Sequence, residues 1–112
     1  MSNTNDIREN LLNNIEEGLR ENISIENIAD NFSMSSTNLR RLFKAAFNLS
    51  IGRYIRSRKL SASIEDLLNT NLNVLDIAMK YGFEYEQSYI RSFKRKFGVT
   101  PGELRRMKVK YL

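Results

Sequence analysis

Cysteine and histidine are both absent from this chain of 112 residues. Without cysteine there is no disulfide framework and no thiolate metal site. Without histidine most zinc sites, the Ser-His and Cys-His nucleophile systems and the usual general base are also excluded. The carboxylates fall on helix faces with no second catalytic group in register, so the chain does not read as an enzyme, and no metal or cofactor is expected. No apolar run approaches the ~18 residues of a membrane-spanning helix. The opening Met1-Ser-Asn-Thr-Asn-Asp6 has neither a basic region nor an apolar stretch, so it does not read as a secretion signal. Together with the missing cysteine, this makes the cytoplasm, in association with the nucleoid, the expected compartment. Proline occurs once and glycine five times, and strand-like alternation is scarce. A 3.6-residue apolar periodicity runs through the chain, so the expected fold is all-α.

Apolar residues make up 41% of the chain and charged ones 28%, as in an ordinary globular protein. The length suits one domain or two very small ones. The net charge of +5 is distributed in blocks. Residues 1–35 carry two basic and seven acidic side chains, and residues 36–64 seven basic and none acidic. Residues 65–86 carry one basic and five acidic, and residues 87–112 eight basic and one acidic. Concentrating like charge costs self-repulsion, which points to an anionic partner. Mutual neutralisation of the blocks across the folded surface is the alternative.

The periodicity resolves into about seven helices. Ile7, Leu11, Ile15 and Leu19 form the stripe of the first. Ser24 caps a short second helix bearing Ile25, Ile28, Ala29 and Phe32. Ser35 or Ser36 caps a third, with Leu39, Leu42, Phe43, Ala46 and Phe47 on its buried side. Ser50 opens a long fourth helix reaching about Thr70. Asn73 caps a fifth, closed by Gly82. The sixth carries Tyr89, Phe93 and Phe97 and stops at Gly98. Thr100-Pro101 starts a seventh that runs through Arg106.

Self-comparison reveals a repeat. A shift of 49 sets Ile25 on Val74, Ile28 on Ile77, Ala29 on Ala78, Phe32 on Tyr81 and Met34 on Phe83. After one inserted residue, a shift of 50 sets Leu39 on Tyr89, Arg41 on Arg91, Phe43-Lys44 on Phe93-Lys94, Phe47 on Phe97 and Ser50 on Thr100. Each repeat is a short helix, a tight turn and a longer helix, the helix-turn-helix outline. Apolar matches suffice for a structural duplication, but that alone does not require Arg41 and Arg91 to coincide on the outward face. Thr37, Arg40 and Arg41 on the third helix and Gln87, Ser88 and Arg91 on the sixth are the candidate base-reading residues. Arginine bonds guanine O6 and N7 in bidentate fashion, and glutamine does the same for adenine. Lys44, Arg53, Arg56, Lys94 and Arg95, with Arg58, Lys59, Lys96 and Arg105, are candidate phosphate contacts or plain solubilising charge.

Twenty helical residues at 1.5 Å each span about 30 Å, and successive major grooves on one face of B-DNA lie about 34 Å apart. Two non-identical reading helices in one polypeptide predict a monomer on an asymmetric double-stranded site, with some DNA bending. The competing reading is a helical adaptor whose basic faces meet an acidic protein partner.

These residues resemble the AraC/XylS family of bacterial transcription regulators from about residue 6 to 107. The second repeat carries Asp76-Ile77-Ala78, Tyr81-Gly82-Phe83 and Arg91-x-Phe93-Lys94-x-x-Phe97-Gly98-x-Thr100-Pro101. The first has Ser35-x-x-x-Leu39-x-Arg41-x-Phe43-Lys44 and Gly52-x-Tyr54-Ile55. The resemblance implies a first helix-turn-helix subdomain over 6–50, a linker helix over 51–70 and a second subdomain over 71–107. It also implies adjacent major grooves as the target and RNA polymerase as a partner in activation. By the same resemblance Thr37, Arg40 and Arg41 fall on the base-reading positions of the first unit, and Glu86, Gln87 and Arg91 on those of the second. Thr37 departs from the family's large aromatic. Ile90 is apolar at an outward position, Ser92 is polar at an apolar one, and Leu104 replaces a tyrosine. Glu86 is expected to cap the sixth helix.

Overall fold

The computed structural model describes residues 4–110, with side chains from Ile7 to Lys108. The leading Met1-Ser-Asn of the stretch read for a secretion signal lies outside them. The described residues form seven α-helices and no strand: α1 (Thr4–Gly18), α2 (Ile25–Asn31), α3 (Ser36–Phe47), α4 (Ile51–Asn69), α5 (Val74–Lys80), α6 (Glu86–Phe97) and α7 (Pro101–Lys110). The protein is all-α. A short 3-10 turn, Leu19–Glu21, prolongs α1. The chain divides into two compact units, Met1–Arg58 and Lys59–Leu112.

In the first unit Leu11, Ile15, Leu19, Ile28, Ala29, Leu39, Phe43, Ile51 and Ile55 are buried. The 3.6-residue spacing brings these side chains to one face of each helix. Two expectations are corrected here. Ile7 is exposed rather than part of the buried stripe, because such a stripe is covered only as far as a facing element extends. Leu42 is also exposed. It precedes Phe43 by one residue and so stands about 100° around the helix from it. Gly18 is needed for close approach. A Cβ there would lie 2.6 Å from Ile23 Cγ2, at the point where the Ile23 N–H donates to the Gly18 carbonyl.

The second unit packs Leu60, Leu67, Ile77, Ala78, Tyr81, Phe83, Tyr89 and Phe93, with Val74, Phe97 and Leu104 against them. Its buried polar groups are all paired. Tyr81 donates to Asp66 Oδ2 at 2.6 Å, and Lys80 donates to Asp66 Oδ1 at 3.0 Å. Tyr89 donates to Ser63 Oγ at 2.7 Å, and Ser63 in turn donates to the Leu60 carbonyl. Burial pushes the Tyr89 phenol up to about 12, since the interior disfavours the phenolate.

The repeat extends to the backbone. Ser33 and Gly82, 49 residues apart, both take positive φ, 54° and 80°. In each unit the next residue donates back into the preceding helix at 3.0 Å, Met34 to Ala29 and Phe83 to Ala78. That is the 6→1 bond of a Schellman closure, and it sets the tight turn between the paired helices. Asn48 and Gly98 end α3 and α6 in the left-handed region. Phe43–Phe47 and Phe93–Phe97 both have ring centroids 4.6 Å apart.

Candidate nucleic-acid interface

In the first unit α3 starts where Ser35 Oγ accepts the Asn38 N–H at 3.1 Å, so Ser35 rather than Ser36 is the cap. Leu39 and Phe43 are fully buried and fix the rotation of the helix about its axis. Thr37, Arg40, Arg41 and Lys44 are thereby turned outward, and all four are exposed. None of these side chains has a hydrogen-bond or ion-pair partner among the described residues. Arg53 and Arg56 are exposed on the opening turns of α4, where Ser50 Oγ accepts the Arg53 N–H.

In the second unit Tyr89 and Phe93 play the anchoring part on α6. Gln87, Arg91, Lys94 and Arg95 are exposed, whereas Ser88 is half-buried. Ser88 sits on the flank of the helix directly beside the buried Tyr89. The α6 N-cap is Tyr85, whose side chain makes no capping bond, and Glu86 is the first helical residue. The expectation that Glu86 caps the helix is therefore corrected. Its carboxylate still lies in the first turn, where it favours the positive end of the helix dipole. Ile90 and Ser92 are half-buried, so neither stands fully on the outward face nor fully in the core.

Several cations of the phosphate list are engaged within the protein, Arg56 and Lys59 among them. Arg58 pairs with Glu16, separated by 42 positions in sequence. Lys96 donates to Ser61 Oγ at 2.8 Å and lies over the Phe97 ring. Arg105 donates to the Leu67 carbonyl at 2.9 Å and reaches those of Asp66 and Thr70. With Lys108, which donates to the Leu68 carbonyl, it satisfies the C-terminal end of α4. A cation there also complements the helix dipole. The position of Arg105 in the basic block carried no hint of this, because the carbonyls it serves are remote in sequence.

The described residues include no group of acidic side chains suited to a metal ion and no helix long and apolar enough to cross a membrane. The geometry presents an exposed face of hydrogen-bond donors and cations on the second helix of each helix-turn-helix unit. Such a face can bond base edges and phosphates of a duplex.

A family model for a helix-turn-helix domain matches residues 28–107. The HTH-type transcriptional activator AarP of Providencia stuartii is 36% identical over 87 residues, covering 78% of this chain and 64% of AarP. The chain thus spans a little under two thirds of that relative's length. The multiple antibiotic resistance protein MarA of Salmonella typhimurium is 37% identical over 95 residues, covering 85% of this chain and 75% of MarA. Among solved structures, the C-terminal domain of the two-component response regulator yesN from Fusobacterium nucleatum superimposes with a TM-score of 0.75 at 27% identity. That match covers 89% of this chain and 98% of the other. Duplicated helix-turn-helix units with cationic second helices, and these relatives, place the chain in a class of DNA-binding transcription regulators. Within that class the chain belongs to the AraC-type helix-turn-helix family, in agreement with the resemblance carried by its spaced motif residues.

Proposed function

We propose that the protein binds an asymmetric double-stranded DNA site as a monomer, reading bases with Thr37, Arg40 and Arg41 of α3 and with Gln87, Ser88 and Arg91 of α6. Lys44, Arg53, Arg56, Lys94 and Arg95 hold the phosphates. The observation that carries this reading is the pair Arg41 and Arg91. They occupy equivalent positions of two similarly built units, both exposed and both without a partner among the described residues. A cation left unpaired on each anchored helix has its bonding capacity in reserve for an anionic or acceptor-rich ligand. Two helix-turn-helix units in one chain suit a target of two blocks, expected one duplex turn apart. Two different reading faces in one polypeptide favour an asymmetric site over a palindrome read by a dimer. On its site the protein contacts RNA polymerase and works in the cytoplasm, on the nucleoid.

Selection of bound duplexes from random DNA tests this. The expected consensus is asymmetric, roughly 20 base pairs long, with two blocks one turn apart. Arg41→Ala relaxes preference in one block and Arg91→Ala in the other, each at a cost of about 1–3 kcal/mol. A palindromic consensus, or two arginine variants that bind like the parent, refutes the reading. The second of those results favours the protein-adaptor alternative.

A further inference from the structure

We propose that Tyr85 is a base-reading residue of the second unit, its ring lying against the 5-methyl edge of a thymine in the major groove. The proposal rests on the reading above, in which α6 enters a groove. The starting observation is a defect in how α6 begins. The helices α2, α3, α4, α5 and α7 each open on a Ser, Asn or Thr whose side chain accepts an N–H of the first turn: Ser24, Ser35, Ser50, Asn73 and Thr100. At the same place α6 has Tyr85 and no side-chain cap. The equivalent position of the first unit keeps the capping serine, Ser35. A helix that forgoes a cap available to its twin gives up stability.

The Ser88 N–H falls back on the Tyr85 carbonyl at 3.1 Å and Glu86 lies in the first turn, but the Tyr85 side chain itself takes no part in holding the helix end. Tyr85 is 64% exposed. Its ring stacks on no other ring, and its hydroxyl bonds to nothing among the described residues. A large aromatic standing free in water, two residues before Gln87, suits a binding role better than a folding one. Recognition helices touch base edges with their N-terminal residues, and Tyr85 adjoins the first turn of α6. Its neighbours Glu84 and Glu86 choose between the possible targets. Carboxylates on both sequence neighbours of the tyrosine disfavour a phosphate there, which leaves the base edge. There an apolar ring face is matched by the thymine methyl group.

The test uses the full chain and the duplex selected by the parent protein. Tyr85→Ser restores the cap and is expected to raise Tm by about 4 °C while weakening binding about tenfold. Tyr85→Phe keeps the ring and binds within about twofold of the parent. Replacing a single thymine of the α6 block by deoxyuridine removes one methyl group. It weakens the parent about fourfold and leaves Tyr85→Ser unaffected. The proposal is overturned if Tyr85→Ser melts higher with undiminished affinity, or if it melts lower. It is also overturned if Tyr85→Phe binds as weakly as Tyr85→Ser, or if no deoxyuridine distinguishes the two proteins. Failure of the parent to select any sequence instead refutes the reading on which the proposal rests.

Discussion

Ser33 shows what a single backbone angle costs. Both helix-turn-helix turns need a residue in the left-handed region, and the second unit supplies Gly82 while the first supplies Ser33 at φ 54°. A Cβ in that region is disfavoured by roughly 1–2 kcal/mol, and glycine returns part of the gain by loosening the unfolded chain. Ser33→Gly is therefore expected to stabilise the protein by about 0.5–1 kcal/mol, seen as a higher urea midpoint at an unchanged slope. An unchanged or lower midpoint contradicts the turn assignment. Tyr89 makes a second case. Its phenol ionises near 10 in the unfolded chain and at about 12 in the fold. The neutral form is thus favoured by folding. The associated stability is complete below pH ~10 and is lost as pH rises from there towards ~12, about 2–3 kcal/mol in all. Tyr89→Phe should cost about 1–2 kcal/mol at neutral pH, because Ser63 loses its donor. It should also flatten the alkaline decline. Tyr54, whose pKa is raised by burial and then by Glu16, accounts for part of the decline that remains. Equal decline in both proteins disproves the assignment to Tyr89.

The limits of each helix were largely legible in the sequence because the signals that set them are local. Ser24, Asn73 and Thr100 cap through bonds only three residues long, and Gly82 and Gly98 stand where positive φ is required. The outward faces of α3 and α6 were legible for the same reason: Leu39, Phe43, Tyr89 and Phe93, all buried, orient them by periodicity alone. Long cations were not legible. A flexible side chain reaches partners set by tertiary structure, so nothing near Arg58 in sequence announced Glu16, and nothing near Arg105 announced the end of α4. This separation yields a prediction about α4. Arg105→Gln removes three carbonyl contacts at its C-terminus and should lower stability by about 1–2 kcal/mol. Saturation of DNA by the variant should be unchanged. If Arg105→Gln unfolds at the parent's urea concentration but binds DNA with a shallower salt dependence, Arg105 is a phosphate contact after all.

For the molecule as a whole, the alternation of charge along the chain translates into a division of labour that salt can expose. Cations tied up inside the fold release no counterions when DNA binds. Those with an open face release about 0.9 each per phosphate neutralised. The slope of log affinity against log salt thus reports how many of the 18 basic residues meet phosphate. With Lys44, Arg53, Lys94 and Arg95 in contact, the slope from these four is about −3 to −4, and Arg56, which already makes an interaction within the protein, adds at most one more phosphate. Lys44→Ala and Lys94→Ala should each reduce its magnitude by about 0.9, weakening specific and non-specific duplexes alike. Lys96→Ala and Arg58→Ala should leave the slope near the parent's, since Ser61 and Glu16 already hold those side chains. Fluorescence anisotropy of labelled duplexes across a salt series measures all four. If Lys96 and Arg58 move the slope as much as Lys44 and Lys94 do, internal pairing does not decide which cations reach the DNA. The basic blocks then act as undifferentiated charge, and the sequence preference assigned to α3 and α6 must come from fewer residues than proposed.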